Sequence, residues 1–256
     1  LRQATKAVRG ITHVKPTSLT LETGHFNVLL GQTGAGKTSL IKLMAGLDPL
    51  ASGQIFMDGE DVSKLNTQKR NISLVHQFFV NYPHMTVFEN IASPLRVAGM
   101  AQSEIEGRVQ EAADILQLAP MLKRRPQELS GGQQQRTALA RAIAKFAGRG
   151  AVVVYATSEP EEALLLGGYT ALMDDGAVTQ FGPTAEIYRK PATLAAARAF
   201  SDPPINAAEI TKSGDKATLA TGVSWTVEGR AAELPDGTYT IAIRPHHVLP
   251  TQAGAA

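Results

Sequence analysis

The run Gly31-Gln32-Thr33-Gly34-Ala35-Gly36-Lys37-Thr38 constrains the fold more than any other stretch. It follows the apolar run Phe26-Asn27-Val28-Leu29-Leu30 and opens into Ser39-Leu40-Ile41-Lys42-Leu43-Met44-Ala45. The flanks predict strand, glycine-rich turn and helix, and the spacing is that of a phosphate-binding loop, G-x-x-x-x-G-K-T. Each residue type has a physical task there. Glycines let backbone N–H groups turn inward around an oxyanion, and the helix points its positive end at the same place. Lys37 supplies a point charge for the β- and γ-phosphates. The Thr38 hydroxyl can ligate Mg²⁺, and Ser39 extends the phosphate contacts. The loop implies a nucleotide without saying which reaction that nucleotide drives.

A chain of 256 residues can bury a sizeable core, as one large domain or as one domain with a smaller companion. The net charge is +2, which gives no electrostatic argument for nucleic acid. There is no cysteine, which excludes disulfide, zinc-thiolate and thiol chemistry. The apolar run Ala151 to Ala156 is far too short to span a bilayer. The first residues, Leu1-Arg2-Gln3-Ala4-Thr5-Lys6, carry no hydrophobic signal-peptide core. A role at a membrane would therefore run through partners.

Residues 1 to 30 are expected to be β-rich, with Ser18 to Glu22 alternating as a strand. Gly46 is the expected C-cap of the helix that follows the loop. Gln54 to Met57 followed by Asp58-Gly59 predicts a hairpin. Ile72 to Val75 predicts a short buried strand. A helical stretch is expected from Asn81 to Leu118, with a capping box at Ser103 to Glu106. In it Ile105, Val109, Ala112 and Leu116 share a face. Further expectations are a helix from about Gln134 to Phe146, a strand at Val152 to Tyr155 and a hairpin from Tyr169 to Thr179 turning at Asp175-Gly176. Helix should dominate from Pro183 to Phe200. Asp202-Pro203-Pro204 marks a domain boundary. Beyond it, three short strands are expected at Lys216–Ala220, Val223–Val227 and Thr238–Ile243, few for a stable barrel.

A second motif settles the class. Leu129-Ser130-Gly131-Gly132-Gln133-Gln134-Gln135-Arg136 places a serine and two glycines just ahead of a helix. That makes a second phosphate-recognising N-terminus. Two such sites for one nucleotide make sense if two subunits meet head to tail, each Ser130–Gln133 turn closing over the γ-phosphate on the other's lysine loop.

With Gln77 between the two motifs, the chain resembles the ATP-binding-cassette ATPases, in particular those of bacterial carbohydrate importers. The resemblance implies an α/β fold: a P-loop NTPase core with an inserted helical subdomain at about residues 81–135. It implies an ATPase domain over residues 1–200 and a small all-β, OB-like domain over 205–256, cut short at Ala256. The cofactors implied are ATP and Mg²⁺. Residues 31–39, Gly31 through Ser39, would hold phosphates. Thr38 and Gln77 would serve the metal, and Ser130, Gly131, Gly132 and Gln133 would act in trans. Asn81-Tyr82-Pro83-His84-Met85-Thr86-Val87-Phe88-Glu89-Asn90 matches the segment that grips the permease. Arg244-Pro245-His246-His247 resembles a recurring element of the tail domain. The segments Tyr155-Ala156-Thr157-Ser158-Glu159-Pro160 and Phe181-Gly182-Pro183-Thr184 point to glycerol and glycerol-phosphate importers. The implied partners are a second ATPase subunit, integral permease subunits and, indirectly, an external solute-binding protein, with no nucleic acid. The implied place is the cytoplasmic face of the cell membrane, bound peripherally.

Three departures from the family pattern bear on catalysis. The family carries an apolar strand ending Asp-Glu after the signature helix. Between Arg136 and Val152 this chain has no acidic residue. The missing piece, a strand, an acidic pair and a helix, is about the thirty residues of one crossover. Either the protein lacks it or the written sequence passes over it at Lys145–Phe146. The second is favoured, because a doubly wound sheet without that strand would expose core edges. Ser158 occupies the switch-histidine position, and serine carries no charge and is a poor base. His76 belongs to another strand and does not replace it. Val8 stands at the spacing where an aromatic usually stacks on adenine, with His13 a weaker stand-in.

Together these point to a site that binds nucleotide but hydrolyses it poorly, in a chain that works beside a more active ATPase as a heterodimer. The runner-up is a catalytically degenerate nucleotide-binding subunit that completes a partner's site. A cassette acting on DNA or ribosomes would need basic stripes or coiled-coil insertions, which are not visible. A small-molecule kinase would share the loop but has no use for Ser130–Gln133. Intact mass spectrometry of the purified protein should give a value above 27.2 kDa; a match to 27.2 kDa would show that the segment is truly lacking.

Overall fold

The computed structural model describes residues 1–70, 81–146 and 152–248. The expected strand Ile72–Val75, with His76 and Gln77, lies outside these residues, as does the stretch from Ala147 to Ala151. The backbone divides into two units, Leu1–Lys190 and Pro191–Ala256. The break precedes the boundary expected at Asp202–Pro204.

In the first unit β1 (Arg2–Val8) pairs antiparallel with β2 (Ile11–Thr17). Next come β3 (Phe26–Leu30) and α1 (Lys37–Ala45), the strand and helix on either side of the glycine-rich run. The strand β4 (Ser52–Gln54) pairs with the other edge of β1. The expected hairpin is present as β5 (Phe56–Met57) and β6 (Glu60–Asp61). Its turn residues Asp58 and Gly59 take φ values of 50° and 85°, the left-handed pair that a two-residue hairpin demands. The helices α2 (Val87–Val97), α3 (Gln102–Ile115) and α4 (Gly131–Phe146) pack on one another. The core of the unit is completed by β7 (Val153–Thr157), α5 (Pro160–Leu166), β8 (Tyr169–Asp174), β9 (Ala177–Pro183) and α6 (Thr184–Arg189).

The central sheet runs β7-β3-β8-β9. Strand β3 is parallel to both neighbours, with Leu30 beside Thr157 on one side and Leu172 on the other. Covered on both faces, it reads as a nearly continuous apolar run, with Val28, Leu29 and Leu30 buried. Leu29 joins Val14, Leu40, Leu43, Ile55, Ala171 and Met173 in one core between the sheet, α1 and the antiparallel strands.

Strand β7 is different. Among the described residues it pairs with β3 alone and forms the edge of the sheet. Its sequence, Val-Val-Tyr-Ala-Thr, has the uncharged, mostly apolar character of an interior strand. Yet Val153 to Ala156 are only half-buried and the preceding Val152 is 44% exposed. It carries none of the charges or prolines that usually guard an open edge.

Polar side chains fix the chain between these elements. The Arg70 guanidinium is buried and donates to the carbonyls of Leu43 and Met44, the open carbonyl end of α1. Gly46, the expected C-cap, takes φ 69° there. The buried Asn90 amide donates to the carbonyls of Tyr82, Met85 and Thr86 and accepts from Tyr82 N–H, so it pins the turn before α2.

Two local expectations need correction. Ser18 to Glu22 forms no strand. Leu19 exchanges hydrogen bonds with Leu1, and Glu22 is held by the Asn27 side chain, so these groups are committed outside a ladder. The capping box is not at Ser103. Helix α3 starts earlier, after Ala101, with no side-chain cap, and Gln102 bonds Glu106 instead. The box sits at the start of α2, where Thr86 and Glu89 cap each other reciprocally. The apolar face of α3 is as expected, with Ile105, Val109, Ala112 and Leu116 all buried.

The second unit has α7 (Leu194–Ala199) and four strands rather than three: β10 (Asn206–Ser213), β11 (Lys216–Leu219), β12 (Ser224–Thr226) and β13 (Gly237–Ile243). Their order is β12-β11-β10-β13, all antiparallel. The unexpected strand β10 is the central one. On its inner face Ile210 is buried, and so is Lys212, which donates to the carbonyl of Gly214.

Thr86→Ala removes the capping side chain of α2. It should cost about 1 kcal/mol, read as a lower urea midpoint for the first unit, with Thr86→Ser close to wild type.

Candidate functional site

The strand β3 ends at Leu30 and α1 begins at Lys37, so residues 31–36 form the loop between them. Backbone conformation explains the glycines. Gly34 and Gly36 take φ values of 90° and 94°, in the left-handed region that other residues avoid. Gly31 is needed for another reason: a Cβ there would stand 2.2 Å from the carbonyl oxygen of Met173 on β8. A Cβ on Gly36 would meet the His13 carbonyl oxygen at 3.0 Å and Gly176 Cα at 3.1 Å. The loop is thus packed backbone to backbone against β2 and the turn between β8 and β9. Gly176 N–H donates to the Ala35 carbonyl and Lys15 N–H donates to the Gly176 carbonyl, which ties the three segments in series. An ion pair between Lys15 and Asp175 at 2.8 Å lies on the outside of the same junction.

Gln32, Thr33, Gly34 and Thr38 face solvent, while Lys37 and Ser39 are half-buried. The Lys37 ammonium donates to the carbonyls of Gly31 at 2.6 Å and Gln32 at 2.8 Å, folding over the mouth of its own loop. Burial lowers its pKa from the ordinary lysine value. A cation held by two weak acceptors at a helix N-terminus with no side-chain cap fits an anion far better than it fits these carbonyls. The donor set therefore suits a phosphate group.

The second motif is also a capping box. The Ser130 hydroxyl accepts from Gln133 N–H at 3.3 Å, and the Gln133 side-chain oxygen accepts from Ser130 N–H at 3.0 Å. Helix α4 begins at Gly131, three residues earlier than expected, so Gly131 and Gly132 form its exposed first turn. The S-x-x-Q spacing could have signalled this box in the sequence.

Ser158 follows directly on β7, and the pairing of Thr157 with Leu30 places it beside the start of the loop. It is exposed, and its hydroxyl donates to Glu159 at 3.2 Å. Sequence reasoning missed the residues that brace this point. Glu162 Oε2 accepts from Thr157 Oγ1 at 2.5 Å and from the Tyr155 hydroxyl at 2.9 Å. Tyr155 in turn accepts from Gln135 on α4 at 3.0 Å. Burial, and then the Glu162 carboxylate, push the Tyr155 phenol well above its usual pKa, so it remains a neutral donor. One hydrogen-bonded line therefore joins α4, the end of β7 and α5. No periodicity reveals it, because its members lie on three elements.

Gln77, expected at the metal, lies outside the described residues. Among the described residues no group of three His, Cys, Asp or Glu could hold a metal ion. None of the described helices is long and apolar enough to cross a membrane. Val8, at the base-stacking spacing, is 46% exposed at the end of β1.

Comparison with known proteins places these features. A family profile described as ABC transporter matches residues 14–147, just over half of the chain. The sn-glycerol-3-phosphate import ATP-binding protein UgpC of Ruegeria pomeroyi is 36% identical over 263 residues, covering 91% of this chain and 74% of that one. UgpC of Escherichia coli is 34% identical over 286 residues, covering 99% and 80%. The spermidine/putrescine import ATP-binding protein PotA of Aggregatibacter actinomycetemcomitans is 33% identical, covering 97% and 76%. A solved bacterial ABC transporter cassette in dimeric form shares the fold at TM-score 0.53 and 24% identity, covering 72% of this chain and 97% of its own.

The lengths carry information of their own. Ninety-one per cent of 256 residues is about 233, yet the match to the Ruegeria protein runs over 263, so about 30 positions of that relative face no residue here. The Escherichia match leaves about 33 unfaced in the same way.

Gly31→Ala should destabilise the first unit by about 1–3 kcal/mol, because the Met173 carbonyl cannot yield without moving β8. Thermal unfolding checks this; a wild-type melting temperature would mean that the junction is loose.

Proposed function

The chain belongs to the ABC transporter family, and we propose that it serves an importer whose solute is of the sugar, glycerol or glycerol-phosphate class. It is an ATP-binding subunit that couples ATP to solute import through membrane permease partners. The solute class rests on the names of its relatives, two of them glycerol-phosphate importers. The observation that carries the ATP reading is the loop itself. Gly31 to Ser39 offers an anion a helix N-terminus, a lysine folded onto weak acceptors, and glycines that only a close backbone approach explains.

ATP supplies a phosphate anhydride whose cleavage is strongly downhill. The chain's own residues do the rest. Lys37 leaves the carbonyls of Gly31 and Gln32 for phosphate oxygens. The N–H groups of the loop and of the first turn of α1 hold the remaining oxygens. Thr38 and Gln77 would hold Mg²⁺, which when bound would neutralise charge on the phosphates. Ser130 to Gln133 of this chain closes on the nucleotide of a second subunit, offering the exposed N–H groups of Gly131 and Gly132.

A second reading concerns hydrolysis, and strand β7 favours it. An apolar strand, half-exposed and without charges, supports the view that a parallel neighbour belongs on its outer edge. The relatives' surplus of about 30 positions is the length of one such strand with its crossover. That neighbour would end level with Thr157 and the start of the loop, where a water-activating carboxylate is expected. Even with that carboxylate in place, Ser158 leaves the site without the histidine that would align the water. Its own site therefore binds ATP and turns it over slowly, and its partner is a different, more active ATPase in a heterodimer. The assembly lies peripherally on the cytoplasmic face of the membrane, with a solute-binding protein acting from outside.

Purified alone, the protein should bind ATP with little turnover, and mixing with its partner should raise turnover well above the sum of the two. Brisk hydrolysis by the isolated chain would contradict the second reading. In cells, Lys37→Ala should abolish uptake and leave complex assembly intact; unchanged uptake would overturn the first.

A further inference from the structure

Strand β1 carries a lysine that the phosphate-loop pattern does not include. Lys6 extends from the strand to the first turns of α1. Its side chain is only 13% exposed, unusual for a lysine. The ammonium donates to Asp48 Oδ2 at 2.5 Å and lies 3.5 Å from Ser39 Oγ. Asp48 follows α1 and is itself anchored, its N–H donating to the Lys42 carbonyl. So a nearly buried cation is parked between a carboxylate and a hydroxyl of the phosphate helix.

A plain structural brace would account for the Asp48 contact alone. It does not account for the second neighbour. Side chains on a helix lean toward its N-terminus, so Ser39 carries its hydroxyl toward the same end of α1 that receives the anion. An anion held by Ser39 has the Lys6 ammonium as its neighbour. Direction along β1 narrows the choice of phosphate. The strand passes through the core at Ala4, which is fully buried, and ends at Val8, where the family resemblance puts the base. Lys6 stands between the two, on the base side of the loop. Lys37 and Thr38 serve the outer phosphates and the metal.

We propose that Lys6 is a second lysine of the nucleotide site, holding the phosphate nearest the nucleoside, with Asp48 as the counter-charge that stores the cation while the site is empty. This rests on the reading of Gly31–Ser39 as the nucleotide site. A second cation there compensates for the poor stacking offered by Val8, because it adds affinity on the base side without adding a contact to the γ-phosphate. Its contribution is common to ADP and ATP.

The test is equilibrium titration of the full chain with Mg-ADP and Mg-ATP, comparing Lys6→Met, Lys6→Arg, Asp48→Asn and Lys37→Ala. Lys6→Met should weaken both nucleotides by the same factor, about three- to tenfold for a partly screened charge at this range. Lys6→Arg should keep most of the affinity. Asp48→Asn, which releases the cation, should tighten both. Lys37→Ala should weaken ATP more than ADP. Wild-type affinity in Lys6→Met, or a loss confined to ATP, overturns the proposal. Should Lys6→Met fail to fold, Asp48→Asn decides, since unchanged or weaker binding there contradicts a stored cation. If Lys37→Ala also binds like wild type, the nucleotide reading itself falls, a result separate from any effect at Lys6.

Discussion

Three stretches of backbone meet at Gly31, Gly36 and Gly176, close enough that no side chain fits between them. One is the phosphate loop, one is β2 at His13, and one is the turn joining β8 to β9. Hydrogen bonds from Gly176 to Ala35 and from Lys15 to Gly176 link them in series. The loop is held from behind as well as by its own bonds, Ala35 N–H to the Gln32 carbonyl and Lys37 to the carbonyls of Gly31 and Gln32. The antiparallel strands and the β8–β9 hairpin, elements remote from the chemistry in sequence, thereby determine where the N–H groups of the loop point.

The same economy recurs at the second motif. Ser130 and Gln133 cap α4 within one chain, which holds the first turn of that helix ready and leaves the glycine N–H groups exposed. From α4 the line Gln135, Tyr155, Glu162 and Thr157 reaches the end of β7 beside the loop. The helix that begins at the Ser130–Gln133 turn and the strand end beside the phosphate loop are thus joined by hydrogen bonds. Among the described residues β7 has no neighbour on its outer edge, although its sequence reads as an interior strand.

Much of this was legible in the residues, for reasons that can be named. The loop, the Gly46 cap and the turns at Asp58-Gly59 and Asp175-Gly176 follow from short-range rules, in which a few adjacent residues decide the backbone. The apolar face of α3 follows from helical spacing. Other features depend on partners far away in sequence. Alternation at Ser18–Glu22 suggested a strand, but Leu1 and Asn27 claim the backbone groups of Leu19 and Glu22. Strand β10 was missed because Asn-Ala-Ala-Glu-Ile-Thr-Lys-Ser holds a single large apolar residue. Its pairing with β11 and β13 makes it central all the same. Arg70, Asn90 and Glu162 carry no local signal of their packing role, and each proves to be a tertiary anchor, identifiable only once the carbonyls or hydroxyls that it meets are in place.

The central claim is that nucleotide sits on Gly31–Ser39 and is read by another subunit. The most direct measurement is the structure of the whole complex, purified through this chain and held with a non-hydrolysable ATP analogue. The account predicts nucleotide on this chain's loop, its γ-phosphate covered by a different subunit, and Ser130–Gln133 covering the nucleotide of that subunit. An empty loop, or a γ-phosphate open to solvent in the closed complex, would contradict it.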